Sequence, residues 1–149
     1  MDVVEEEVPG DIGLIVVFCQ YDPNRYPGAF GRLREILDPI RPRLYVRVDN
    51  GNEGPGTRRA GSDLLEVEGD NALHEFSAWT RGLDVCRDLG VAGGAYLFVT
   101  DAFQAYGDDY EDLIDAATLR FLVSERAAGG LVNRPGRRHG EMLVLGRTL

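Results

Sequence analysis

A short, unbroken apolar segment restricts the fold of this chain more than any other feature. Residues Ile12–Cys19 read IGLIVVFC and are rich in β-branched side chains. A run in which apolar residues do not alternate with polar ones is typical of a strand that is covered on both faces. The segment is also far shorter than the ~20 apolar residues that a membrane-spanning helix needs. It therefore predicts a central strand in a sheet that carries helices on both sides.

Helix-like and strand-like segments alternate after this first strand. Apolar residues recur at helical spacing from Phe30 to about Ile40, where two prolines end the pattern. A second helix is predicted after Asn71, which can cap it, and Gly90 should close it. Further strands are predicted at Leu44–Val48, Leu64–Val67 and Ala95–Thr100, with late candidates at Leu131-Val132 and Met142–Leu145.

The helices and loops between these strands carry their own patterns. The glycine-rich segment between Asn50 and Gly61 is predicted to be a loop. A third helix is expected between Tyr110 and Leu122, with Asp108-Asp109 at its positive end and a break at Gly129-Gly130. The second helix should bury a stripe formed by Phe76, Trp79, Leu83 and Cys86.

This alternation predicts the fold class. Apolar strands separated by helices are typical of a three-layer α/β domain, in which helices flank a mostly parallel sheet. The 149 residues suit one such domain. We expect it to span residues 11–149, after a flexible acidic N-terminus at residues 1–10.

The net charge and the cysteine content indicate which cellular compartment and which class of partner to expect. A protein with a net charge of −9 repels the phosphate backbone of nucleic acid, so nucleic acid is not an expected partner. Cys19 and Cys86 both lie in apolar patterns and are predicted to be buried thiols of a reducing compartment. With no secretion signal and no membrane-spanning segment in the sequence, we expect a cytoplasmic location.

Polar residues gather at the predicted carboxyl ends of three strands. Gln20-Tyr21-Asp22 lies at the end of the first strand, Asp49-Asn50 at the end of the second, and Asp101 directly after Ala95–Thr100. In a parallel sheet these ends lie on one edge, where ligands bind. Asp49 could accept hydrogen bonds from a ribose or a base. Asp101 could hold one divalent cation together with phosphate oxygens.

Each of these residues also has a purely structural interpretation. Asp49 could cap its own turn, and Asp101 could cap the segment that follows it. Glu75 suits the positive end of a helix, and His74 fits a surface or cap position better than a catalytic one. His139 lies in a basic stretch that suits either a surface loop or a phosphate contact.

Several short motifs follow one another in a defined order along the chain. The first strand reads IVVFCQY, and the second ends in VDNGN at Val48–Asn52. Gly69-Asp70-Asn71 then precedes a helix that contains EFSAW and Gly82-Leu83, and the strand YLFVT is followed by Asp101-Ala102-Phe103. The order of these motifs resembles that of the GT-A glycosyltransferases, which carry a metal-binding DxD at the last of these places. The motifs are similar to the nucleotide-sugar half of a bacterial branch related to rhamnan-synthesis proteins.

The resemblance implies a Rossmann-like domain that transfers a sugar from a nucleotide-diphosphate sugar to an acceptor hydroxyl. It implies that Gln20, Tyr21 and Asp49 hold the nucleoside and that Asn71 and Glu75 lie near the sugar or the ribose. It also implies that Asp101 binds the diphosphate or a divalent cation, Mn²⁺ or Mg²⁺.

Two departures from the family pattern leave alternatives open. Phe103 stands in place of the second DxD carboxylate, and Glu141 is the one carboxylate after Gly129 that could serve as a base. The family's acceptor half does not follow, so a second copy or a partner subunit could complete the enzyme. A non-catalytic nucleotide-binding or assembly protein of the same fold is the first alternative, and an unrelated flavodoxin-like domain is the second.

Overall fold

The computed structural model describes residues 13–51, 56–109, 116–124, 129–130 and 142–146. These residues form seven strands and three α-helices. The helices are α1 (Ala29–Leu37), α2 (Glu75–Asp88) and α3 (Ala116–Ser124), and 3-10 turns cover Asp38–Ile40 and Asp101–Asp109. The strands are β1 (Leu14–Gln20), β2 (Leu44–Asp49), β3 (Thr57–Arg59), β4 (Leu64–Glu68), β5 (Ala95–Thr100), β6 (Gly129–Gly130) and β7 (Met142–Gly146).

All seven strands join one mixed sheet in the order β3-β4-β2-β1-β5-β7-β6. The four inner strands, β4, β2, β1 and β5, are parallel, whereas β3, β6 and β7 pair antiparallel with their neighbours. The prediction of an α/β domain with a largely parallel sheet is confirmed. From β1 the chain moves outward to β2 and β4, and then returns to place β5 on the other side of β1. The direction of winding therefore reverses between β1 and β5, which is where such sheets bind ligands.

Strand β1 is the centre of the core, as the apolar run predicts. Successive side chains of a strand point to opposite faces. Leu14, Val16 and Phe18 pack with α1 in one layer, and Ile15 and Val17 pack with α2 in the other. All five are 0% exposed. Full burial of such a side chain contributes about 1.5–3 kcal/mol, so β1 stabilises both layers at once.

Helix α2 differs from its prediction in two ways. Its N-cap is His74 rather than Asn71, because the chain makes an extra turn before the helix begins. The fully buried face consists of Ala78, Gly82, Val85 and Cys86, so Cys86 is the one member of the predicted stripe within it, and Leu83 is partly buried beside it. Phe76 is 62% exposed, and Trp79 is half-buried against the same core. Small side chains allow the helix axis to approach the sheet closely, and the bulky aromatic residues lie at its flank.

Other expectations have mixed outcomes. The strand predicted at Met142–Leu145 is confirmed as β7, and Cys19 and Cys86 are buried free thiols.

Part of the glycine-rich loop forms the edge strand β3, and Gly129-Gly130 pairs as β6 rather than only ending a helix. The expected acidic N-terminus at residues 1–10, the candidate strand Leu131-Val132, and His139 and Glu141 lie outside the described residues. No helix in the described part of the chain is long and apolar enough to cross a membrane.

The close approach of α2 to the sheet gives a stability prediction. A Cβ atom added at Gly82 would lie 2.5 Å from Cγ1 of Val17, so Gly82→Ala must push the helix from the sheet. We expect this variant to lose about 1–3 kcal/mol of unfolding free energy in urea titrations, despite the better helix propensity of alanine.

The matched control is Gly31→Ala in α1, where an added Cβ would meet nothing within 4 Å. Its unfolding free energy should rise by up to about 1 kcal/mol. Equal effects of the two substitutions would show that Gly82 does not set the distance between helix and sheet.

Candidate functional site

The loop after β1 and the segment after β5 are joined by one buried carboxylate. Oδ2 of Asp101 accepts hydrogen bonds from the backbone N–H groups of Tyr21, at 2.9 Å, and Asp22, at 2.7 Å. Asp101 is only 2% exposed. These contacts cross the sheet where its winding reverses, so they fix the shape of the crevice at that point.

Opposing effects act on the charge of Asp101. Burial raises the pKa of its carboxyl group, and the nearby charge of Asp22 raises that pKa further. The amide hydrogens of Asp22 and Tyr21 act against this rise, because they stabilise the ionised form. The net direction is upward, so the folded protein favours the protonated carboxyl more than the unfolded chain does.

A cavity of about 260 Å³ opens at this junction. It is large enough for part of a nucleotide-sized ligand, with the rest extending over the rim. One wall comes from the loop after β1, the opposite wall from the start of α2, and the floor from the ends of β1 and β5. The lining residues are Cys19, Tyr21, Asp22, Arg25, Tyr26, His74, Glu75, Thr100, Asp101 and Ala102.

The wall formed by the start of α2 has a strained backbone. His74 has φ 54° and ψ −133°, a conformation of the first central residue of a type II′ turn that glycine usually occupies. A non-glycine residue there costs about 1–3 kcal/mol. The His74 carbonyl accepts hydrogen bonds from Nδ2 of Asn50, at 2.9 Å, and Oγ of Ser77, at 2.8 Å. These two donors hold the turn in place.

Asn50 supports this wall from the end of β2. It is 7% exposed, and its Nδ2 also lies 3.4 Å from Oδ1 of Asn71. Gly69 packs directly on Oδ1 of Asn50, where any Cβ atom would clash. Oδ1 of Asn50 is buried and has no hydrogen-bond partner within the part of the chain that the structure describes. The Nδ2 bond to the His74 carbonyl is therefore the contact by which Asn50 helps to position the turn.

The predicted site residues fall into two groups. Tyr21, Glu75 and Asp101 line the cavity together. Gln20 and Asp49 are register partners at the ends of β1 and β2, and Oδ1 of Asp49 accepts the N–H of Gly51 at 2.9 Å. Gln20, Asp49 and Asn71 do not line the cavity itself, although Gln20 adjoins Tyr21 in the chain. Asp49 therefore caps its turn while it stands at the ligand-binding edge of the sheet.

The described residues do not form a cation site on their own. Among them, no group of three His, Cys, Asp or Glu side chains is placed to hold a metal ion. Phe103, in the position of the second DxD carboxylate, is 4% exposed and packs in the core. Oδ2 of Asp101 is already bonded to two amides. A cation at Asp101 stays a prediction that requires several ligands from a bound diphosphate.

Sequence patterns gave no role to Arg25, which lies in a turn-rich loop without a recognisable motif. Asn50 was expected among the polar residues at the strand ends, but its bond to the His74 carbonyl could not be predicted. His74 is an exposed N-cap, which confirms the expectation of a surface or cap position. Its strained backbone conformation leaves no trace in the sequence.

The bonds of Asp101 predict different effects for two substitutions. Asp101→Ala leaves two amide donors without their acceptor and should lose about 2–4 kcal/mol of unfolding free energy. Asp101→Asn keeps an oxygen acceptor and should lose about 1 kcal/mol or less at neutral pH. Urea titrations of both variants against the wild type measure this difference.

The pH dependence has a defined sign. Because the folded pKa of Asp101 is raised, its contribution to stability is complete at acid pH and declines as pH rises through that folded pKa. The wild type should therefore lose stability relative to Asp101→Asn between acid pH and neutrality. The opposite slope would mean that the amide hydrogen bonds outweigh burial.

Comparison of the chain with protein-family models, with curated proteins and with solved structures found no match. A function for this protein therefore has to be inferred from the side chains that meet at the cavity. The sheet topology brings these side chains together, and they occur in the sequence motifs described above. Both facts support the inference of a function.

Proposed function

We propose that this protein binds a nucleotide-diphosphate sugar in the crevice between β1 and β5 and serves as the donor-binding domain of a GT-A-like glycosyltransferase. The observation that carries the proposal is the bond between Asp101 and the amides of Tyr21 and Asp22. These bonds connect two of the motifs that resemble the family. The motifs meet at one cavity, where the winding direction of the sheet reverses. Glu75, from a third motif, lines the same cavity.

The cavity offers different chemistry to each part of such a ligand. Tyr21 is 50% exposed at its rim, so its ring can stack on a nucleobase. Gln20 and Asp49, paired at the neighbouring strand ends, supply hydrogen-bonding groups for the ribose. The Glu75 carboxylate can accept hydrogen bonds from sugar hydroxyls on the opposite wall. Asn71 lies behind that wall and acts through its contact with Asn50.

Sugar transfer at this site would follow the general chemistry of the reaction. The acceptor oxygen forms a bond to the anomeric carbon while the bond from that carbon to the diphosphate breaks. A base takes the proton of the acceptor hydroxyl, and nearby charges stabilise the departing diphosphate. We assign no described residue as the base, so an acceptor-binding partner or a second copy would supply it.

A non-catalytic nucleotide-binding role is the second candidate. One observation favours it: Phe103 is buried in the core where the family carries a metal-binding carboxylate. A protein that binds the donor without transferring the sugar would still need the cavity and the exposed Tyr21 ring. Release of free nucleoside diphosphate from a donor, on addition of candidate acceptors, separates the two roles.

Binding can be tested with uridine diphosphate and a set of nucleotide-diphosphate sugars. Thermal-shift and calorimetric titrations should show that at least one of them binds and stabilises the fold. Tyr21→Ala should weaken this binding about tenfold or more, because a stacked base contributes about 1–3 kcal/mol.

Leu89→Ala is the matched control, since Leu89 is 53% exposed just beyond the far end of α2. Its affinity should equal that of the wild type. The proposal fails if no nucleotide or nucleotide sugar binds, or if the Tyr21 and Leu89 variants bind equally well.

A further inference from the structure

Two residues with basic side chains, Arg25 from the loop after β1 and His74 from the start of α2, line the cavity. We propose that these two side chains bind the phosphate groups of a diphosphate ligand, and that binding needs no divalent cation. The identity of the ligand as a nucleoside diphosphate rests on the proposed function. The assignment of an anion site to these two residues rests on the cavity itself.

Arg25 is held at its wall by contacts on both its backbone and its side chain. Its N–H donates to Oδ1 of Asp22 at 3.0 Å, which fixes the turn. Its guanidinium lies 5.4 Å from the centre of the Tyr26 ring, and that ring also lines the cavity. In the described part of the chain this guanidinium takes part in none of the ion pairs. Its N–H donors match the geometry of phosphate oxygens.

His74 stands across the cavity in a conformation that glycine would adopt without strain. Hydrogen bonds from Asn50 and Ser77 to its carbonyl keep it there. Those bonds involve only the backbone of His74, so glycine would preserve them. The fold therefore does not need the imidazole, and a ligand contact accounts for its presence. Such a residue in a cavity is a candidate for function.

The carboxylates of the cavity are compatible with an anion. Asp22 uses Oδ1 to hold the Arg25 turn, and Asp101 uses Oδ2 to hold the loop after β1. The two backbone N–H groups that bond to Asp101 offset part of its negative charge toward a phosphate. Glu75 remains on the wall for the sugar hydroxyls. The Arg25 guanidinium and the His74 imidazole then supply N–H donors for the diphosphate oxygens, a role that the family resemblance assigns to a metal ion.

Calorimetric titration of inorganic pyrophosphate and of uridine diphosphate tests this assignment. In EDTA the wild type should bind both probes, and Mn²⁺ should change the dissociation constant less than about threefold. His74→Gly and Arg25→Gln should each weaken binding of both probes about tenfold or more. Free imidazole should restore binding to His74→Gly but not to Arg25→Gln.

Arg41→Gly is the matched control. Arg41 also has a positive φ, of 55°, and is exposed away from the cavity. This variant loses one positive charge and relieves backbone strain, so it should bind both probes as the wild type does. His74→Gly should melt at or above the wild-type temperature, because it also loses strain.

The outcomes separate this inference from the proposed function. If uridine diphosphate binds and neither His74→Gly nor Arg25→Gln weakens it, or if it binds only with Mn²⁺, the inference is wrong and the proposed function stands. If pyrophosphate binds through both residues but no nucleotide binds, the anion site stands and the proposed function is wrong. If neither probe binds the wild type, both are overturned.

Discussion

The two hydrogen bonds from the loop after β1 to Asp101 determine the geometry of the candidate site. They link residues 80 and 79 positions apart in the chain, across the point where the winding of the sheet reverses. They orient the start of the loop that carries Tyr21, Asp22 and Arg25, and a bond from Nε2 of Gln104 to the Pro27 carbonyl, at 2.8 Å, holds its end. The same carboxylate that the family resemblance assigns to a ligand therefore also serves the architecture.

The opposite wall is set by an independent chain of contacts. Strand β2 places Asn50 at its end, Gly69 leaves room for the Asn50 amide, and that amide fixes the carbonyl of His74. Helix α2 can lie close enough for this because Gly82 packs on Val17. The two walls therefore depend on different strands, β1 with β5 on one side and β2 on the other. The relative position of Arg25 and His74 follows from the sheet, not from a direct contact between the two side chains.

Much of the fold could be predicted from the sequence, because burial on both faces leaves a strong pattern. The Ile12–Cys19 run predicted β1 as a central strand, and the polar residues after β1 and β5 predicted the edge where the cavity lies. The residue at which α2 begins and most of its buried face could not be predicted. The cap depends on tertiary contacts from Asn50, and the buried face depends on how closely Gly82 lets the helix approach. Tyr21, Glu75 and Asp101 line one cavity. The ligand roles assigned to these three residues stay predictions, as do those of Gln20, Asp49 and Asn71.

The most direct test of the central claim is to map ligand contacts on the backbone amides by ¹H–¹⁵N NMR during titration with uridine diphosphate. If the crevice between β1 and β5 is the donor site, the largest shift changes should occur at the amides of Tyr21 and Asp22, which bond to Asp101, and at Glu75 across the cavity. Amides at the other end of the sheet, such as that of Gly94, should stay unchanged. Shift changes centred away from this crevice, or none at saturating nucleotide, would contradict the account.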